Sequence, residues 1–222
     1  MSEQSSENSS GAARSAGSRV WRWLRRIGLF FVALIVAVGL FIGYKLWGPT
    51  VTSEELTGLS KENTQGLVDA PVKIVEFGDF ACPSCRRWHR SGIKQRVMET
   101  FGDQVSFTYR HFPVMSEHSV QAAIASQCAG EQGAFWMYHD FLFEQAQGLT
   151  ESELARYAMD LGLDTLAFEA CVQSEKVRDY VDRDKRSAFR EGALGTPAFF
   201  VNGQLVYNPS FEELEALIRK PR

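Results

Sequence analysis

The sequence predicts an α/β protein in which a βαβ unit, a helical block and a ββα unit follow one another. The first observation is a pair of β-rich runs, residues 72–77 and 105–110, separated by a segment with helical spacing of apolar residues. The second is that residues 115–190 carry helical signals alone. The third is a pair of short apolar runs joined by Asn202-Gly203, a dipeptide typical of hairpin turns, before a final helix.

The N-terminal region, residues 1–26, is predicted to be a disordered cytoplasmic segment that ends in an arginine cluster. Its first part is rich in Ser, Gly, Ala and Asn, which cannot bury enough apolar surface to offset the entropy of ordering. The cluster comprises Arg14, Arg19, Arg22, Arg25 and Arg26.

A single transmembrane helix is predicted for residues 27–47. No residue from 27 to 44 is charged, and a run of about 20 apolar residues is long enough to cross a bilayer. The preceding arginines predict that the N-terminus is cytoplasmic and that the rest of the chain is extracytoplasmic. The alternative is a cleaved signal peptide, but the run is long for one, and Tyr44-Lys45-Leu46-Trp47 is no small-x-small cleavage site.

Residues 48–68 show no sustained periodicity and are predicted to be a linker, so that the folded domain comprises residues 69–222. Within it, residues 83–101 predict one helix, because Ile93, Val97 and Phe101 recur every four positions. The helical block, about 114–190, includes a capping box at Thr150 and Glu153. A second capping box, at Ser210 and Glu213, predicts the start of the final helix.

The net charge argues against nucleic acid as a partner. The whole chain has a formal charge of −3, but residues 48–222 carry 18 Lys and Arg against 25 Asp and Glu. Because nucleic-acid-binding surfaces are basic, an acidic domain of this kind favours other partners.

Cys82 and Cys85 form a Cys-x-x-Cys pair where a predicted strand passes into a helix. A helix N-terminus stabilises a thiolate, so the pKa of Cys82 is expected to be lowered and Cys82 to be the attacking sulfur. Pro83 is compatible with the first helical turn because its missing N–H has no partner there. Cys85 is then expected to be the thiol that resolves a mixed disulfide.

Two other interpretations of this pair remain open. One is a static structural disulfide, and the other is a metal site in which His89, one turn beyond Cys85, joins the two thiols. A four-ligand zinc site would need a second paired motif, and neither Cys128 nor Cys171 has a Cys or His close by. No metal and no cofactor are predicted, and the four histidines, His89, His111, His118 and His139, are expected to have core or surface roles.

Taken together, the motifs resemble the DsbA-like branch of the thioredoxin superfamily. The similarity covers residues 69 to about 219 and rests on the strand followed by Cys82-Pro83-Ser84-Cys85, on an acidic residue six positions earlier, Glu76, and on the segment 195–203 with its Thr-Pro. The resemblance implies a thioredoxin fold interrupted by a helical insertion.

The resemblance also implies roles for residues around the cysteines. Pro197 is expected to be a cis-proline that faces the cysteines, and the Thr196 backbone to pair with an extended substrate. Phe80, Pro83 and Ser84 are expected to complete the substrate-binding surface. From the residues alone, an ordinary trans-proline at a strand start remains an alternative for Pro197.

Glu76 is predicted to lie in a buried strand, where a carboxylate is costly, so we expect it to be partly protonated and to relay a proton to or from Cys85. A solvent-facing strand residue is the alternative. Ser84 departs from the best-known strong oxidant of the family, which has His in this spacer.

Cys128 and Cys171 lie 43 residues apart in predicted helices. In an oxidising compartment the simplest expectation is a structural disulfide. A second redox pair and two unpaired buried cysteines are the alternatives.

The favoured function is that of a membrane-anchored oxidase that introduces disulfides into exported or membrane-associated proteins with cysteines. By family analogy, a quinone-linked membrane partner would reoxidise it. A reductase or isomerase of the same fold, and a copper-binding thioredoxin-like protein, are the alternatives.

Overall fold

The structure is a computed structural model that describes residues 63–220 and, before them, only Val36 and Gly39, which are helical. The described residues 63–220 lie in the second of two units into which the chain divides, residues 1–52 and 53–222. The predicted arginine cluster and nearly all of the predicted membrane span lie outside the described residues. Within the described residues, no helix has the length and apolar character required to cross a membrane.

A five-stranded mixed sheet forms the centre of the second unit. Its strands are β1 (Thr64–Gln65), β2 (Val72–Gly78), β3 (Val105–His111), β4 (Ala198–Val201) and β5 (Gln204–Tyr207), in the order β1-β3-β2-β4-β5. β2 and β3 are parallel, and the other neighbouring strands are antiparallel. The α/β order predicted from the sequence is therefore confirmed.

β3 is buried along its whole length, including its polar side chains. Polar side chains of β3 form hydrogen bonds with side chains of other elements. The Arg110 guanidinium donates to the Asp184 carboxylate over 2.8 Å, and the Thr108 hydroxyl lies 2.9 Å from that of Thr64. Buried polar groups are tolerated when they are paired in this way.

The helix predicted for residues 83–101 is instead two helices, α1 (Pro83–Arg90) and α2 (Ile93–Phe101). Gly92, with φ of 73°, adopts the left-handed conformation that glycine accommodates most easily, and this breaks the helix. The apolar spacing of Ile93, Val97 and Phe101 belongs to α2 alone.

The folded domain starts earlier than the predicted boundary at Asp69. β1, inside the predicted linker 48–68, pairs with β3, and the Asn63 carbonyl accepts a hydrogen bond from the Tyr109 N–H. The Asn63 side chain is also buried and donates to Gln127. A two-residue strand has too few positions to show a period of two, so the sequence pattern did not reveal it.

Five helices lie between β3 and β4, in the range predicted to be helical. They are α3 (Glu117–Gly130), α4 (Phe135–Glu144), α5 (Glu151–Asp160), α6 (Thr165–Val172) and α7 (Glu175–Arg190). The capping box that starts α5 is present, since Thr150 and Glu153 bond each other's backbone N–H groups. These helices enclose an aromatic core that includes Phe135, Tyr138 and Phe143 and extends to Cys85.

Cys128 on α3 and Cys171 on α6 form a disulfide in the structure. Cys128 is fully buried, and the bond joins two helices of the same core. The disulfide therefore links the two ends of the segment that contains α4 and α5.

Replacing both residues, in a Cys128→Ala/Cys171→Ala variant, is expected to lower the free energy of unfolding by about 3–4 kcal/mol, because the denatured chain gains the entropy of an open loop. Chemical denaturation of the full-length oxidised protein measures this. A loss below about 1 kcal/mol would show that the disulfide does not restrict the denatured state as this model requires.

β4 and β5 form the predicted hairpin through Asn202 and Gly203, whose φ values of 49° and 84° match the turn that Asn-Gly favours. The last helix, α8 (Phe211–Arg219), begins at the predicted capping box of Ser210 and Glu213. It packs with α1 and α2 on one side of the sheet, and α7 covers the other. The β2–α1 junction and the start of β4 thus meet beside the helical core.

Candidate active site

The chain turns from β2 into α1 at residues 79–82, and this turn places Cys82 at the helix N-terminus. Cys82 is the N-cap residue, with extended backbone angles, and Pro83 is the first helical residue. The Asp79 carboxylate accepts from Ala81 N–H on one oxygen and from Val114 and Met115 N–H on the other, at 2.8–2.9 Å. Asp79 thus fixes the Cys82 loop against the segment that follows β3.

The pKa of Cys82 is lowered to about 5, mainly because the Cys85 thiol donates a hydrogen bond to the Cys82 sulfur. The Thr196 side chain and the backbone N–H groups of Cys85 and Ser84 contribute further, against the opposing effect of burial. The expected direction is therefore found, but the largest cause differs. The helix N–H groups assist, and the second thiol contributes most.

The environment of Cys85 has the opposite effect on its acidity. Its side chain is fully buried, and burial raises the pKa of the Cys85 thiol well above its ordinary range. The hydrogen bond that the Cys85 thiol donates to the Cys82 sulfur and the negative charge of Glu76 raise the pKa of Cys85 further. At neutral pH the reduced site therefore holds one thiolate, on Cys82, and one thiol, on Cys85.

The Thr196–Pro197 peptide bond is cis, and it lies next to Cys82. The Thr196 carbonyl oxygen is 3.4 Å from the Cys82 sulfur, which donates to it in the thiol form. Thr196 is partly exposed and Pro197 is buried. The segment before β4 thus forms one wall of the site.

Glu76 lies within β2 and is fully buried, so the solvent-facing alternative for this residue is wrong. Its Oε1 lies 3.0 Å from His89 Nε2. Its Oε2 is buried and has no hydrogen-bond partner among residues 63–220. His89 is thus directed at Glu76.

Phe80 does not lie on a substrate-accessible surface, contrary to the expectation. Its side chain is 1% exposed and packs against Tyr109, 5.4 Å between ring centroids, and Phe143, 4.8 Å. A residue two positions before the N-cap points into the helical core, where an aromatic ring buries a large apolar area. Pro83 is exposed and Ser84 partly so, and Ser84 Oγ accepts a hydrogen bond from Arg87.

Exposed apolar side chains belong to two segments that contact the Cys82 loop. Val114 and Met115, 40% and 54% exposed, belong to the segment held by Asp79. Leu194, 88% exposed, lies two residues before Thr196. Large apolar side chains exposed around a reactive group are typical of a surface that binds another protein.

Sequence reasoning missed Asp79, and it named His89 as a possible metal ligand but missed its pairing with Glu76. The position of His89, four residues after the buried Cys85, places both on the same face of a helix and was a usable signal. Asp79 gave no comparable signal, because its partners, Val114 and Met115, lie 35 and 36 residues further along the chain. Within residues 63–220, no three His, Cys, Asp or Glu side chains are grouped so that they could hold a metal ion.

Comparisons with known proteins agree with this geometry. A thioredoxin family model matches residues 59–220. The probable disulfide bond formation protein D of Bacillus anthracis is 28% identical over 209 residues, 89% of this chain and 95% of that protein. The chain therefore belongs to the thioredoxin family. Within it, the chain is a DsbA-like member of the thioredoxin superfamily.

Solved structures show the same relationship. A thioredoxin-like oxidoreductase from Silicibacter pomeroyi DSS-3 superposes with a TM-score of 0.68 at 27% identity, covering 75% of this chain and 95% of that one. The alpha-DsbA1 of Wolbachia pipientis superposes with a TM-score of 0.59 at 26% identity, covering 75% and 86%. The chain is also 38% identical over 143 residues to the Na(+)/H(+) antiporter NhaA of Herminiimonas arsenicoxydans, but spans only 22% of its length.

Proposed function

We propose that this protein oxidises cysteine pairs of exported proteins through the disulfide of Cys82 and Cys85. The observation that carries the proposal is the opposite acidity of the two sulfurs, with the pKa of Cys82 lowered to about 5 and that of Cys85 raised. A stabilised Cys82 thiolate favours the reduced enzyme, and an enzyme that is stable when reduced is an oxidant. The name of the Bacillus anthracis relative, a disulfide bond formation protein, supports the same direction.

In the proposed reaction, a substrate thiolate attacks the Cys82 sulfur of the oxidised enzyme. A sulfur–sulfur bond to the substrate forms, the Cys82–Cys85 bond breaks, and Cys85 leaves with the electron pair and takes up a proton, which we assign to Glu76. The substrate's second thiolate then attacks the substrate sulfur of the mixed disulfide and releases Cys82 as a thiolate. Two electrons pass from the substrate to the enzyme.

Substrate binding in this proposal uses the surface around Cys82. The partly exposed Thr196 backbone offers hydrogen bonds to an extended peptide, as in strand addition. Pro83 and Ser84 are accessible beside the reactive sulfur, and Val114, Met115 and Leu194 supply apolar contacts. Contacts of this kind suit unfolded chains, which expose apolar side chains.

Reoxidation of the enzyme completes the cycle. The reduced pair must pass two electrons to an acceptor, and we propose a quinone-linked membrane protein for this step. A membrane-anchored domain would stay close to such a partner, which raises their effective concentration.

A reductase or isomerase of the same fold is the second candidate, and Ser84 in the spacer is the observation that favours it. No cationic spacer residue adds to the stabilisation of the Cys82 thiolate. A copper-binding role is the third candidate, and it would use the two free thiols, Cys82 and Cys85.

The test of the proposal is the oxidation of a reduced two-cysteine peptide by the oxidised full-length protein. We expect one peptide disulfide to form for each protein disulfide consumed, and insulin to be reduced poorly in the presence of glutathione. Rapid insulin reduction without peptide oxidation would assign the protein to the reductases. Copper retained after anaerobic purification would favour the third candidate.

The proposed membrane anchor, residues 27–47, has its own test. Because an uncharged span with flanking arginines inserts stably, the full-length chain is expected to remain in the membrane fraction after alkaline carbonate washing. Fractionation and mass measurement check this. Recovery of a shortened, soluble form would show that the span is a cleaved signal peptide.

A further inference from the structure

His89 is a buried polar residue on the helix that carries Cys85. The exchange reaction proposed above gives it no role. His89 is 5% exposed and lies on α1, one turn after Cys85, so both residues face the core from the same side of the helix. Its Nε2 lies 3.0 Å from Oε1 of Glu76, which is fully buried on β2. Cys85 and His89 thus share the buried face of α1, and Glu76 on β2 contacts His89 and lies near enough for its charge to act on Cys85.

The ring of His89 is held in place by its neighbours. It stacks on Phe143, 4.2 Å between centroids and 9° between planes, and meets the edge of His139 at 4.7 Å. A ring fixed in this way keeps its Nε2 aimed at Glu76. The second carboxylate oxygen of Glu76, Oε2, has no hydrogen-bond partner among the described residues. This oxygen can therefore carry the proton that passes to Cys85.

We propose that His89 is a positioning residue that donates a hydrogen bond from Nε2 to Glu76 Oε1 and thereby sets the pH range in which Glu76 supplies a proton to Cys85. This inference rests on the proposed thiol–disulfide exchange and assigns its proton step. When the Cys82–Cys85 bond breaks, the proton moves from Glu76 Oε2 to the Cys85 sulfur. The carboxylate left behind keeps the hydrogen bond from His89, and solvent later restores the proton.

Other titratable groups surround this pair. Tyr109 on β3 lies 6.4 Å from the His89 ring between centroids, and its burial raises the pKa of its hydroxyl well above the ordinary value, so it stays neutral. His139 on α4 is also neutral, because burial lowers its pKa well below the usual range. Its Nδ1 bonds Asp140, which in turn pairs with the buried Lys94 of α2.

Cys82 completes this set of neighbours, as a thiolate in the reduced enzyme and as part of the disulfide in the oxidised one. Among these groups, His89 is the one whose side chain bonds Glu76 directly. Its replacement should therefore change the proton step without changing the charge of Tyr109 or His139.

The experiment measures the reduction of the oxidised full-length protein by glutathione as a function of pH, with each rate divided by the glutathione thiolate concentration. The corrected rate should fall as Glu76 loses its proton, giving an inflection. In His89→Phe the carboxylate loses a donor, so the proton is retained to higher pH and the inflection should move up by about one to two pH units. His89→Gln, whose amide donates from a similar position, should keep the wild-type inflection.

Two further variants separate positioning from packing. His139→Phe removes a buried neutral ring beside His89 but no bond to Glu76, and should leave the inflection in place. In a Glu76→Gln background the inflection should be absent, with or without His89→Phe. A substitution that only weakens the packing would change the reduction rate at every pH but would not change the pH of the inflection.

An unchanged inflection in His89→Phe, an equal shift in His139→Phe, or a wild-type profile without an inflection would each overturn the inference and leave the proposed exchange reaction standing. A complete failure of glutathione to reduce the Cys82–Cys85 disulfide would instead overturn the proposed function itself. The two failures are therefore distinguishable.

Discussion

Cys82→Ser is expected to abolish thiol–disulfide exchange, whereas Cys85→Ser is expected to accumulate mixed disulfides with substrates. Only Cys82 lies at the helix N-terminus with a lowered pKa, so its removal eliminates the sulfur that substrates attack. Without Cys85, a disulfide between Cys82 and a substrate has no internal thiol to resolve it. Non-reducing electrophoresis after incubation of the reduced variants with a disulfide-containing peptide measures both outcomes, because the Cys82 thiolate attacks the peptide disulfide and releases the peptide's other sulfur as a thiolate.

Ser91→Ala is the control, because it alters the C-terminal end of the same helix and leaves both sulfurs and the substrate-binding surface in place. It should exchange like the wild-type protein. The assignment of roles would be wrong if, in reduced protein at mildly acidic pH, an alkylating reagent labelled Cys85 faster than Cys82.

Cys85→Ala is expected to raise the pKa of Cys82 from about 5 towards 9.0, the ordinary value, because the hydrogen bond from Cys85 is the largest cause of the lowering. A hydrogen bond to a charged group contributes about 1.5–3 kcal/mol, which predicts a rise of about one to two pH units. The thiolate absorbance of the reduced protein, followed against pH, measures this. Ser84→Ala should keep the wild-type pKa of Cys82. An unchanged pKa of Cys82 in Cys85→Ala would show that the helix N-terminus, and not the Cys85 thiol, is the main cause of the lowering.

The same lowered pKa sets how the stability of the reduced protein depends on pH. A depressed pKa contributes stability that is fully present above the pKa of the unfolded chain and is lost as pH falls through about 5. The reduced protein should therefore lose stability relative to the oxidised protein as the pH falls from about 9 to about 5.

The order of elements and the position of the cysteine pair could be predicted from the sequence because both depend on local signals. Asn202-Gly203 and the capping boxes at Thr150 and Ser210 act over two to four residues, and the structure contains all three. The α/β order followed from these signals and from hydrophobic periodicity.

The features that sequence reasoning missed depend on contacts between distant residues. β1 exists because β3, more than 40 residues later, offers a strand edge. Phe80 is buried because the aromatic core of the helical region, which includes Phe143, closes over it. The largest cause of the acidity of Cys82 is a hydrogen bond between two side chains, which spacing alone does not quantify.

The equilibrium of the Cys82–Cys85 pair with glutathione tests most directly whether this protein is an oxidase. Oxidised full-length protein is equilibrated in glutathione buffers of graded ratio, the thiols are trapped with an alkylating reagent, and the reduced fraction is measured by mass. A stabilised Cys82 thiolate predicts a reduction potential above about −200 mV, towards the value of about −120 mV of DsbA. A potential near that of thioredoxin, about −270 mV, would contradict the proposed oxidase and favour a reductase.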